Sequence, residues 1–130
     1  MALPNGAGGY QLGDGNLTEV TMGVQAAPVA KTAAATLTAA ELTSGIITYT
    51  GAAVNLTLPT VALTEALVSS AKDNSSFDVV IINTGATNAA TVVVGTGWTI
   101  VGAAAVSAAT SAQFRARKTG DLAWTLYRIA

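Results

Sequence analysis

The sequence lacks cysteine and histidine, two residue types that carry much of enzyme chemistry. Without cysteine there is no disulfide framework, no thiolate zinc site and no thiol nucleophile. Without histidine the commonest general base and metal ligand is missing. A hydrolase would then need paired carboxylates, but Asp73, Asp78 and Asp121 stand at predicted helix-end, strand-start and turn positions that already favour aspartate. We therefore expect no enzymatic activity, no bound metal and no cofactor.

Charge is also scarce. Charged residues make up 10% of the chain, and six basic against seven acidic side chains leave a formal charge of −1. In a usual soluble domain, charged residues make up roughly 25% of the sequence. Such a surface offers little to nucleic acid or to an anionic membrane. It also lacks the net charge that keeps proteins apart, so we expect protein partners, including further copies of the same chain.

Export and membrane signals are missing from the pattern as well. The first nine residues read MALPNGAGG, which has neither a charged start nor an apolar stretch of signal-peptide length. No apolar run approaches the length of a membrane span. The expectation is a protein that is made and used without export through a signal peptide.

What the chain does have is length and apolar content enough for one domain with an appendage: 130 residues, of which 51% are hydrophobic. Residues 1–35 are punctuated by glycine and show no sustained apolar period, which predicts an extended N-terminal arm. Residues 36–130 are predicted to form the domain. The arm's bulky apolar residues are its predicted partner-binding anchors: Tyr10, Leu12, Leu17, Val20, Met22 and Val24.

The first half of the predicted domain mixes helix and strand signals. Thr38 and Glu41 have capping-box spacing, which predicts a single helical turn that Gly45 ends. Strands are predicted over 46–50 and 54–58 from β-branched content and alternation. Over 60–71, apolar Leu63, Leu67 and Ala71 recur four apart, which predicts a helix that starts at Thr60, buries that row and turns Glu65 outward.

The second half reads as short strands with turn signals between them. They are predicted over 77–83, as a strand buried on both faces, and over 91–94, 98–101, 111–117 and 123–129. In 111–117, Gln113, Arg115 and Arg117 fall on one face and Phe114 and Ala116 on the other. The fold class predicted is mainly β: a small β-sandwich or barrel with one inserted short helix and an extended N-terminal arm.

Four of the six basic residues fall within the last sixteen positions: Arg115, Arg117, Lys118 and Arg128. The group is small for a nucleic-acid footprint, and no aromatic residue shares the Arg115 and Arg117 face to stack on bases. It is interpreted as a solvated face or as charges that pair with acidic groups across a subunit or partner boundary, where arginine is favoured.

Trp98 and Trp124 allow two interpretations. Large aromatic residues dominate small cores, which favours packing for both. The alternative is that one of them lines a groove for a sugar or another ligand.

Four stretches carry a resemblance to a known class of proteins. They are the arm GGYQLGDGNLTEVTMGVQ, the segment ATLTAAELTSGIITYTGAAVNLTLPT, the strand SFDVVIINTG and the closing FRARKTGDLAWTLYRI. Together they resemble the small structural proteins of tailed bacteriophages, including cyanophages, that decorate or cement the icosahedral head. The β-domain part is also similar to modules of phage tail fibres and other virion parts.

The resemblance implies a structural virion protein that is made in the host cytoplasm and located on the outer capsid surface. Its implied partner is the major capsid protein, which it would bind as a homotrimer to stabilise the head. The alternative function is a tail- or fibre-associated module that recognises host glycans. Neither implies a catalytic residue, a nucleic-acid partner or a membrane.

Overall fold

Ten strands and two short helices make up the regular structure of residues 22–130, the part of the chain that the computed structural model describes. In chain order they are β1 (Val29–Lys31), β2 (Ala35–Thr36), α1 (Ala39–Leu42), β3 (Ile46–Tyr49), β4 (Val54–Thr57), α2 (Val61–Leu67), β5 (Ser76–Asn83), β6 (Ala90–Val93), β7 (Trp98–Val101), β8 (Ala105–Val106), β9 (Ser111–Gly120) and β10 (Ala123–Arg128).

The strands form two sheets, and up to β8 the chain alternates between them. Sheet A has the order β1-β3-β5-β9-β10-β7, and sheet B has the order β2-β4-β6-β8. A strand therefore meets its neighbour only after the chain has crossed the other sheet and returned. These returns make β1, β3 and β5 parallel in sheet A, and β2, β4 and β6 parallel in sheet B. The predicted mainly β fold with an inserted short helix is confirmed.

The hydrophobic core lies between the sheets and draws on both. Strand β9 shows the predicted alternation, with Phe114 and Ala116 buried and Arg115 exposed. Leu56 of β4 and Val106 of β8 are buried from the side of sheet B. Because side chains alternate across a strand, one face of each sheet supplies this core and the other faces outward.

Both helices begin where the sequence predicted. At α1 the Thr38 hydroxyl accepts from the backbone N–H of Glu41 while the Glu41 carboxylate accepts from the N–H of Thr38, which is a complete capping box. At α2 the Thr60 side chain accepts from the N–H of Leu63. These caps satisfy backbone donors that the first helical turn leaves without partners.

The predicted buried face of α2 is wrong, and the helix ends at Leu67 rather than near 71. Leu63 and Leu67 are 60% and 52% exposed, whereas Val61 and Thr64 are the buried residues. The helix packs through Val61 and Thr64, which are about one turn apart, and it leaves both leucines exposed. Glu65 was expected to face outward, but its carboxylate accepts a hydrogen bond from the indole N–H of Trp124 at 2.9 Å.

Three further differences concern strands. Strand β5 alternates between buried and less buried positions along most of its length, so it is not a strand buried on both faces. Strand β9 runs on to Gly120, and Leu122 adopts a positive φ of 52° in the turn that follows. The short strands β1, β2 and β8 were not predicted; β1 lies within the predicted arm, and β2 spans its predicted end at residue 35.

Candidate protein-binding surface

The described chain begins with an exposed segment, Met22–Pro28, that precedes β1 and has no regular secondary structure. Within it the side chains of Met22 and Val24 are 84% and 102% exposed. Large apolar side chains left wholly in water lose the free energy that burial would give, about 1.5–3 kcal/mol each. These two residues are predicted anchors, and the other four, Tyr10, Leu12, Leu17 and Val20, lie outside the described residues.

A glutamine fixes the place where this segment leaves the domain. The Gln25 side-chain amide donates to the backbone oxygen of Ser44, at 2.7 Å, just before β3. Gly45, with φ of 99°, lies directly beneath it, and a Cβ at this position would come within 2.7 Å of the Gln25 Oε1 atom. We call these three residues the Gln25 clip. The clip holds the segment at the C-terminal end of α1.

An ion pair secures the strand that follows. The Lys31 Nζ atom lies 2.7 Å from the Glu41 Oε2 atom, so β1, an edge strand of sheet A, is tied to α1. The hydrogen bond from Lys31, followed by the one from the Thr38 backbone, lowers the pKa of the Glu41 carboxyl below its usual value. Strand β1, which directly follows the segment Met22–Pro28, is therefore held by an ion pair as well as by sheet pairing.

An apolar groove of about 570 Å³ opens at the other end of α1. It lies where β2 and β4 end and where both helices begin, with the β6–β7 loop at its side. Leu37, Leu58 and Pro59 are buried residues that line it, Leu63 and Thr60 are exposed ones, and no charged residue of the range 22–130 takes part. Its volume is in the range of pockets that hold apolar ligand groups.

Backbone contacts make the walls of the apolar groove rigid. The buried indole N–H of Trp98 donates to the Pro59 carbonyl at 2.8 Å, and the N–H of Val61 donates to the Thr96 carbonyl at 3.0 Å. At Gly95 the loop lies so close that a Cβ would stand 2.7 Å from the Leu58 carbonyl oxygen. The groove is therefore formed before anything binds in it, which reduces the entropy lost on binding.

Sequence reasoning missed this groove because it assigned Leu63 to the core. The signal was present in Pro59 and Thr60, which follow β4. Proline stops a strand, and threonine is favoured at the start of a helix. What the sequence does not display is that the ends of β2 and β4 are neighbours, because that follows from the parallel pairing of these strands.

The structure does not bring the four basic residues together. Arg115 and Arg117 share the outward face of β9, as predicted. Arg115 is paired with Asp78 at 2.7 Å, and this pairing lowers the pKa of the Asp78 carboxyl. Arg117 donates to the Tyr127 hydroxyl and to Asn74 Oδ1. These side chains are engaged within sheet A, and their role as interface charges stays a prediction.

Lys118 and Arg128 lie elsewhere. Lys118 approaches the Glu65 carboxylate at 3.5 Å and the Ala71 carbonyl oxygen at 3.3 Å, so it ties β9 to the α2 region. Arg128 sits over the Phe114 ring and donates to the carbonyl oxygens of Ala103 and Ala105 near β8. Both contribute to packing around the core.

Both tryptophans are buried in that core, as the packing interpretation predicted. Their rings contact each other with centroids 5.8 Å apart. The Trp98 indole donates to Pro59 and the Trp124 indole donates to Glu65. Trp124 borders a small depression of about 210 Å³ beside Phe77, but its ring is almost fully enclosed. Neither ring presents an open face of the kind on which a sugar stacks.

Two surveys of residues 22–130 complete the description. No group of three or more acidic side chains lies close enough together there to hold a metal ion. Neither of the helices described is long and apolar enough to cross a membrane.

Comparison of the chain with protein-family models, with curated proteins and with solved structures finds no match.

Proposed function

We propose that this chain is a non-enzymatic structural protein of a phage virion, one that binds the outer surface of the major capsid protein and stabilises the icosahedral head. The observation that supports this most is the segment Met22–Pro28, which is exposed, has no regular secondary structure and follows directly on the predicted anchors Tyr10, Leu12, Leu17 and Val20. An exposed segment of this kind can lie along the surface of a partner protein.

The chemistry of the chain agrees with a binding role. A chain without histidine and cysteine and with a formal charge of −1 is poorly supplied for acid–base chemistry or for attracting nucleic acid. A segment that becomes ordered on a partner can cover much surface with few residues. In the proposed role the N-terminal arm contacts the capsid protein, and the two-sheet domain is the folded body to which the arm is attached.

The test is binding to heads that lack the protein, prepared from the phage that carries its gene. A variant with serine at Tyr10, Leu12, Leu17 and Val20 should no longer co-sediment with such heads and should no longer raise their thermal stability. The control replaces Leu67, Val101 and Ile129, exposed apolar residues of the domain, by serine and should bind normally. Normal binding by the arm variant would refute the proposed role of the arm.

A further inference from the structure

We propose that the apolar groove receives Met22 and Val24 of a second copy of this chain. The inference concerns contacts between copies and does not use the proposed virion function. It gives these two residues a binding site on another copy of the same chain. The four predicted anchors at positions 10–20 remain for the proposed capsid partner.

The first step is that the groove and the segment match in chemistry. The lining includes Leu37, Leu58 and Pro59, and none of the described residues that form it is charged. The segment Met22–Pro28 reads MGVQAAP and is likewise uncharged. Binding would therefore bury apolar surface on both sides without removing any ion from water, which is the costly part of most contacts.

The second step is that the segment does not occupy the groove of its own chain. The residues that line the groove belong to β2, β4, the two helices and the β6–β7 loop, and the Val24 side chain is 102% exposed. The Gln25 clip fixes the departing chain at the far end of α1. Among residues 22–130, each copy thus presents an exposed donor segment together with an apolar groove that this segment does not fill.

The third step is that electrostatic repulsion between copies is weak. A formal charge of −1 gives weak mutual repulsion, so apolar contacts between copies are not opposed. The contact is heterologous, since the donor segment of one copy meets the groove of the next. Contacts of this kind close into a ring when the rotation between copies allows it.

Crosslinking tests the contact directly, because the chain contains no cysteine of its own. Full-length Val24→Cys protein is mixed with full-length Leu63→Cys protein under mild oxidation, and products are separated without reductant. Leu63 lies at the groove, whereas Leu67 is equally exposed on α2 but does not line it, so Leu67→Cys is the matched control. We expect the Val24–Leu63 heterodimer to form at least about tenfold faster than the Val24–Leu67 heterodimer.

The oligomeric state supplies a second measurement. The unmodified protein should sediment as a closed oligomer, and the Met22→Ser/Val24→Ser variant should raise the dissociation constant by at least about 100-fold, since two apolar side chains lose their burial. Both positions are exposed, so the variant should remain folded. Equal crosslinking to Leu63 and Leu67, a monomeric unmodified protein, or a double-serine variant that associates normally would each overturn the inference. Capsid binding is measured separately, so failure here leaves the proposed function to its own test.

Discussion

The ion pair between Lys31 and Glu41 predicts a pH dependence that can be isolated with one substitution. Glu41→Gln keeps an oxygen that can accept from the Thr38 N–H, so the capping box survives. It removes only the negative charge that faces Lys31 across 2.7 Å. The pH-dependent part of its effect therefore reports the charge of Glu41, whose strongest partner is Lys31 and whose second is the backbone of Thr38.

The expected size follows from how far the pair is buried. The side chains of Lys31 and Glu41 are 20% and 23% exposed. Exposed pairs contribute about 0.2–1 kcal/mol and hydrogen bonds to charged groups about 1.5–3 kcal/mol. We expect Glu41→Gln to lower the free energy of unfolding by about 1 kcal/mol at pH 7. A loss of that size corresponds to a fall in Tm of about 4 °C for a chain of this length.

The sign of the pH effect follows from the lowered pKa of Glu41. Because the folded state binds this proton less tightly than the unfolded state, the stabilisation is complete above the usual value of 4.5. It is lost as the pH falls through the lowered, folded-state pKa. The difference between the unmodified protein and Glu41→Gln should therefore shrink as the pH falls below 4.5 and disappear in stronger acid.

Urea unfolding at a series of pH values from 7 to 2.5 measures this difference. The partner control is the same substitution in a Lys31→Met background, where the pH-dependent part should be smaller because only the hydrogen bonds with Thr38 still lower the pKa of Glu41. If the cost of Glu41→Gln were constant across the whole range, the ion pair would not be the source of the stabilisation, and our account of how β1 is held would be refuted.

Three further predictions use the same unfolding measurement. Thr60→Ala removes the cap of α2 and should cost about 1 kcal/mol, whereas an unchanged midpoint would mean that the cap is not formed. Gly95→Ala should cost about 1–3 kcal/mol because its Cβ would meet backbone oxygen at 2.7 Å, while Gly120→Ala, which meets nothing within 4 Å, should cost clearly less. Asp78→Asn should leave the midpoint unchanged, because the Arg115 pair is largely exposed.

The sequence predicted best those features that a few neighbouring residues decide. The capping box at Thr38 and the cap at Thr60 are local hydrogen-bond patterns, and both occur as expected. The alternation in 111–117 was equally readable, since one buried face leaves a period of two. The parallel pairing was not readable, because Val29 meets Ile47 and Ile46 meets Val80 only after the chain has crossed the other sheet.

The candidate site was less accessible to sequence reasoning, for a physical reason that Leu63 illustrates. A period of four on α2 indicates an apolar row but does not say which side meets the core. Here Val61 and Thr64 pack inward, and Leu63 is left at the apolar groove. The basic residues show a related limit, because residues that are close in sequence can lie far apart in the structure. Lys118 follows Arg117 directly, yet alternation along β9 sends the two to opposite faces of the sheet.

The order of strands in sheet A has a consequence for how the chain folds during synthesis. β9 and β10 stand in the middle of that sheet, between β5 and β7, although they come last in the chain. They are also joined by a tight turn, so they can pair quickly while the parallel strands wait for slower closure of long loops. We expect β7 to stay unattached to sheet A until β10 has left the ribosome. In a nascent chain that stops before residue 111, β7 should accordingly remain sensitive to protease.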